Sequence, residues 1–192
     1  GDARPLAVGA LEGVGGPGSL SWVVVGGDLG GLDPIPGMLR VANARVDPKR
    51  AARGDSVVEF VEGVAEELPF EDASFDAVCS LFSFRDWYDK RAGLAEVLRV
   101  LRPGGTLVIV DPAKMNRLHG VLGWLWMRSW GGTYSRNEYS KSEDHWRWLT
   151  RTYSSFGTTR DYVRMLEEVG FTDVRAKVVF PGMATIWQGA SP

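Results

Sequence analysis

Histidine and cysteine are scarce in this chain of 192 residues, which has two of the former and one of the latter. Two histidines without a zinc-type ligand spacing give no reason to expect metal chemistry. A single cysteine, Cys79, excludes an internal disulfide. It lies in the apolar run FDAVCSLF, where a core thiol is expected rather than a nucleophile. An excess of either charge is also missing. The 22 basic and 24 acidic residues leave a net charge of −2, which offers no electrostatic basis for a nucleic-acid partner. No stretch reaches the roughly 18 apolar residues that cross a bilayer, and no basic-then-apolar opening resembles a signal peptide. The expectation is a cytoplasmic protein that touches a membrane, if at all, as a peripheral contact.

Glycine is what the chain has in abundance. Eleven of its 24 glycines fall in the first 37 positions. Glu12 to Gly18 reads EGVGGPG, and a strand-to-helix turn stripped of side chains lets backbone groups approach a ligand closely. Asp33, in GLDPIPGML, ends the expected second strand, where its carboxylate could accept hydrogen bonds from ribose hydroxyls or cap the following helix. Two cofactor classes fit this opening. Gly13, Gly15 and Gly18 satisfy the dinucleotide pattern GxGxxG, while Glu12, Gly16 and Gly18 fit most of the ExGxGxG loop of S-adenosylmethionine enzymes. A third reading is a fold retained without catalysis, acting as a binding or membrane-surface module.

Short apolar runs predict strands at Leu6–Leu11, Val57–Val61, Phe75–Phe82, Thr106–Asp111, Val174–Phe180 and Met183–Gln188. Helical spacing intervenes. Leu94, Val97, Leu98 and Leu101 make one face of a helix over Arg91–Leu101, closed by Pro103-Gly104-Gly105. Thr158 with Asp161 opens another over Arg160–Val169, closed by Gly170, and Pro36 opens a third carrying Met38, Leu39, Ala42 and Val46. Alternating strands and helices imply an α/β, Rossmann-like, doubly wound and mostly parallel sheet. The last two runs, joined at Pro181-Gly182, form an antiparallel edge hairpin. Only ten residues, Ser19 to Asp28, remain for the first crossover, so the first βα unit is expected to be short. One domain accounts for the length. Within it Asn116 to Leu149 breaks the rhythm with five of the eight tryptophans.

Four blocks after Gly31 resemble class I S-adenosylmethionine-dependent methyltransferases, and among them the UbiE-type quinone C-methyltransferases. GLDPIPGML looks like the family's acidic loop, and EGVAEELPFEDASFDAV (Glu62–Val78) like its GDAExLPFxDxSFD stretch. LFSFRDWYDK (Leu81–Lys90) is similar to SFGLRNxxDK, and EVLRVLRPGGTLVIVDPAK (Glu96–Lys114) to RVLKPGGxLxxLExS. HWRWLTRTYSSFGTTRDYVRMLEEVGFTDV (His145–Val174) and PGMATIWQG (Pro181–Gly189) resemble the family's C-terminal part. In the glycine loop Val14 replaces a glycine and Pro17 a threonine; Val64 stands where the family has aspartate or asparagine; and the family's N-terminal extension is expected to be missing.

The resemblance implies S-adenosyl-L-methionine as cofactor, held by Glu12, Gly16, Pro17, Gly18, Asp33, Met38, Val64, Ala65 and Leu81. It implies a small apolar acceptor, a prenylated demethylmenaquinol-like ring. Carbon methylation of such a ring needs a base or a cation beside the phenolic oxygen. Arg85 and Asp86, which match the family's arginine-asparagine pair, are the candidates, with His145 and Tyr153 behind them. The aromatic segment is expected to wall the acceptor, and Leu118–Trp130 to reach a membrane interface.

Overall fold

The computed structural model describes residues 29–45, 58–114, 116–126, 155–180 and 184–192. Strand β1 (Leu29–Asp33) is followed by helix α1 (Pro36–Arg45), and β2 (Val58–Glu62) lies parallel to β1 with Asp33 opposite Glu62. Strand β3 (Phe75–Leu81) leads through a 3-10 turn at Phe84–Asp86 into α2 (Lys90–Val100) and β4 (Leu101–Asp111). Helix α3 (Arg117–Trp126), helix α4 (Thr159–Val169), β5 (Thr172–Phe180) and β6 (Ala184–Ala190) complete the order. The four later strands form one sheet in the order β3-β4-β6-β5, with β3 and β4 parallel and β6 antiparallel to both neighbours. The expected hairpin is present, and its second strand sits inside the sheet while β5 takes the edge. Among the described residues no helix is long and apolar enough to cross a membrane.

The helices begin and end for identifiable reasons. Asp89 accepts backbone hydrogen bonds from Arg91 and Ala92, capping α2. Thr158 and Asp161 bond reciprocally at the start of α4, and Gly170, at φ 121°, closes it. One boundary differs from expectation. Helix α2 ends at Val100, and Leu101 already belongs to β4, paired with Phe75. Thr106 then pairs with Ala77, so the residues between Leu101 and Thr106 bulge out, with Pro103-Gly104-Gly105 inside the strand instead of before it. Burying Leu101 in the sheet outweighs the helical spacing that assigned it to α2. Ser191 fastens the bulge by exchanging backbone hydrogen bonds with Gly104 and Gly105. Phe82 likewise lies beyond β3, in a left-handed conformation at φ 55°.

Leu94, Val97 and Val100 of α2 and Tyr162 and Leu166 of α4 pack into one core with Val78, Leu107, Ile109 and Trp187. Leu32, Ala65 and Leu68 join it from the β1–β2 side. Phe84, Trp87, Tyr162 and Trp187 form a chain of edge-to-face rings with centroids 5.1–5.3 Å apart, the geometry favoured by aromatic quadrupoles.

Candidate functional site

Parallel strands of an open α/β sheet deliver their carboxyl ends to one crevice. Asp33 is the last residue of β1 and only 2% exposed. Its Oδ1 accepts a hydrogen bond from the Ile35 backbone at 2.8 Å, so the carboxylate shapes the Asp33-Pro34 turn ahead of α1. The Met38 N–H in the first turn of α1 bonds to the Ile35 carbonyl instead. After β2, the Gly63 N–H donates to the Asp33 carbonyl at 3.3 Å, tying the two loops together. A Cβ on Gly63 would stand 2.9 Å from Leu32 Cδ1, so a larger residue there would have to push the Leu32 side chain aside. Val64 and Ala65 follow directly, Val64 exposed and Ala65 buried.

The loop after β2 is held against the segment after β3. Glu66 accepts from the Asp89 backbone at 3.0 Å, and Glu96 accepts from the Leu68 backbone at 2.9 Å. Ala65 faces Gly93 of α2, and the Trp87 ring lies so close to Gly93 that an added Cβ would be 2.6 Å from it. Val64, Leu81 and Phe82 leave apolar side chains in solvent here. A buried carboxylate beside exposed apolar groups fits a nucleoside, whose ribose is polar and whose base is flat and apolar.

Arg85 sits in the 3-10 turn after β3 with its side chain mostly buried. Its partner is Asp111, the last residue of β4 and 1% exposed. Asp111 Oδ2 accepts from the Arg85 backbone N–H at 2.8 Å, and Oδ1 from the guanidinium Nη1 at 3.0 Å. The neighbouring Asp86 carboxylate is 3.6 Å from Arg85 Nε, a looser ion pair. Burial pushes the Asp111 carboxyl up to about 6, and Arg85 pulls it partly back. Lys90 donates to the carbonyls of Arg85 and Trp87 at 3.0 and 3.2 Å, closing the turn from below. Burial lowers its pKa, against the pull of Asp111, Asp86 and Glu66. Ser80 and Ser83, both buried, share a hydrogen bond of 2.8 Å at the base of the same loop. The Cys79 thiol, half-buried in β3, is raised by burial to about 11 and stays protonated at neutral pH.

The structure thus places Asp33 at the end of β1, Val64 and Ala65 after β2, Leu81 at the end of β3, and Arg85 and Asp86 in the turn that follows it. Met38 is half-buried on α1. Glu12, Gly16, Pro17, Gly18, His145 and Tyr153 lie outside the described residues, as do the expected strand Leu6–Leu11 and first crossover. Asp111 and Lys90 are the additions. Asp111 had a signal in TLVIVD: an acid that closes a buried apolar strand, as Asp33 does in LGGLD.

A model of the ubiE/COQ5 methyltransferase family matches residues 18–191. The chain belongs to that family. It is 33% identical over 168 residues to a demethylmenaquinone methyltransferase of Thermotoga maritima, covering 84% of this chain and 67% of the relative. A demethylmenaquinone methyltransferase of Staphylococcus aureus is 30% identical, with 85% and 65% covered. The chain therefore spans about two thirds of the length of these relatives. Its fold is that of class I methyltransferases. A phosphoethanolamine N-methyltransferase of Haemonchus contortus, solved in complex with S-adenosyl-L-methionine, superposes with a TM-score of 0.59 at 17% identity, over 85% of this chain and 43% of that one. Family membership decides between the two cofactor classes that fit the glycine loop in favour of the methyltransferase one.

Proposed function

We propose that this protein transfers a methyl group from S-adenosyl-L-methionine to a ring carbon of a small apolar quinol, of the demethylmenaquinol type. The observation that carries the reading is that parallel strands bring two different sites to their carboxyl ends, linked through the loop after β2. One is the buried Asp33 with Val64 and Ala65, and the other is Arg85 anchored on Asp111. The family match and the demethylmenaquinone methyltransferase relatives support the acceptor class.

In this reading Asp33 takes the ribose hydroxyls, Val64, Ala65, Leu81 and Met38 line the adenine, and Glu12, Gly16, Pro17 and Gly18 approach the methionine part. The bound sulfonium supplies a methyl group with a neutral leaving group. The protein's task is alignment, and holding two reactants in line can contribute on the order of 7–11 kcal/mol. Arg85, with Asp86 beside it, places a fixed cation where a phenolic oxygen develops negative charge, and His145 is a further group within the acceptor segment. The whole chain acts as one methyltransferase domain with 116–149 as an acceptor-side insertion. On α3, Leu118, Val121, Leu122 and Leu125 recur at helical spacing and are all exposed, Leu118 by 70%. That face suits a prenyl chain or the bilayer surface in which it dissolves.

Isothermal calorimetry with S-adenosylhomocysteine, followed by a methyl-transfer assay on a prenylated 1,4-naphthoquinol, tests the proposal. Binding and a singly C-methylated product are expected. Absence of binding overturns the cofactor assignment, and binding without transfer leaves a non-catalytic module.

A further inference from the structure

We propose that Asp111 is a positioning residue that holds the Arg85 guanidinium in one orientation and so fixes its positive charge beside the acceptor oxygen. The role of the acceptor rests on the function proposed above; the immobilisation of Arg85 does not.

Three observations carry this. First, both oxygens of the Asp111 carboxylate are spent on one residue. Oδ2 takes the Arg85 backbone N–H at 2.8 Å and Oδ1 takes Nη1 at 3.0 Å. A carboxylate that grips backbone and side-chain tip together removes the rotamer freedom an arginine otherwise keeps. Second, the guanidinium is enclosed, its side chain only 15% exposed. Arg85 Nε is buried and has no hydrogen-bond partner among the described residues. Its contact with Asp86, at 3.6 Å, is an ion pair beyond hydrogen-bonding distance. Third, Asp111 sits in rigid surroundings. It closes β4, pairs across to Thr185 of β6, and lies within electrostatic reach of Asp86, Lys90 and Tyr162. Thr185 is itself buried, with a hydroxyl lacking a partner among the described residues. Asp111 thus belongs to the sheet and Arg85 to a loop, so the pair transfers the precision of the sheet to the loop.

Carrying a full charge to the end of a buried strand makes little sense for stability alone, since burial pushes its proton affinity upward. Holding a cation beside a developing phenolate gives that charge a purpose.

Two measurements test the proposal on the full chain. In protein labelled with nitrogen-15 and carbon-13 arginine, the Arg85 side-chain signals are identified by their loss in Arg85→Lys. Separate, slowly exchanging Nη resonances are expected for Arg85, unlike those of the exposed Arg40, and their merging is expected in Asp111→Asn. Unchanged Arg85 resonances in folded Asp111→Asn overturn the proposal whatever the enzymatic activity. In the methyl-transfer assay, Asp111→Asn should lower kcat by about 10- to 100-fold while the KM for S-adenosylmethionine holds. Added guanidinium ion should restore part of the activity of Arg85→Ala, and none of it in Arg85→Ala/Asp111→Asn. Equal rescue of both overturns the proposal. A wild-type protein that transfers no methyl group refutes the proposed function instead, and the resonance experiment still decides the role of Asp111.

Discussion

Asp33 and Asp111 end two strands and meet water almost nowhere, yet they do different work. Asp33 closes a turn through Ile35 and is read as the ribose acceptor. Replacing it with alanine should weaken S-adenosylhomocysteine binding by about 1.5–3 kcal/mol, the range for hydrogen bonds to a charged group; calorimetry reads the change directly. Asp111 makes a pH-dependent contribution whose sign follows from its raised pKa. The native state holds the proton more tightly than the unfolded chain between 3.8 and about 6. The stability owed to Asp111 therefore falls as pH rises through that window and is lost above it. The stability of the wild type relative to Asp111→Asn should accordingly fall as pH rises from about 4 to about 7 and level off above that. Denaturant titrations across that range check it, and a constant gap would contradict it. At this scale the sequence made Asp33, Arg85 and Asp86 legible, because each stands in a distinctive local pattern. The pairing of Asp111 with Arg85 escaped because the two are 26 positions apart.

Among the elements, α2 carries the most consequential packing. Trp87 lies across Gly93, and Ala65 of the loop after β2 meets the same spot. Gly93→Ala would force the indole away and disturb the loop that carries Val64 and Ala65. A loss of about 1–3 kcal/mol in stability is expected, as for other overpacked cores, together with weaker cofactor binding. An unperturbed urea midpoint would refute it. The α4 start depends on local chemistry instead. Thr158→Ala should cost about 0.5–2 kcal/mol and leave cofactor affinity unchanged, since the capping box lies on α4. That cap was legible in the sequence because capping needs only neighbours three residues apart. The end of α2 was not, since Leu101 fits the helical spacing equally well and only pairing with Phe75 assigns it to β4.

Across the molecule, the loops that would hold the cofactor come from both the β1–β2 pair and the β3–β4 sheet, joined through Glu66, Glu96 and the shared core. A ligand bridging them stabilises the fold by mass action. At a hundredfold excess over Kd the gain is about 2.7 kcal/mol, or roughly 5–10 °C in Tm for a chain of this size. Thermal denaturation with and without S-adenosylhomocysteine measures it, and no shift at saturation would count against a bridging site. The sequence by itself determined the α/β class, the antiparallel hairpin, the capped helices and the family resemblance, because period, capping residues and motif spacing are properties of short stretches of chain. Tertiary structure alone decided that β6 lies inside the sheet, that Pro103-Gly104-Gly105 bulges within β4, and that Arg85 answers to Asp111. Each of these depends on which distant residues share a buried surface, and the low-dielectric interior ties a charge to whatever partner the sheet brings within reach.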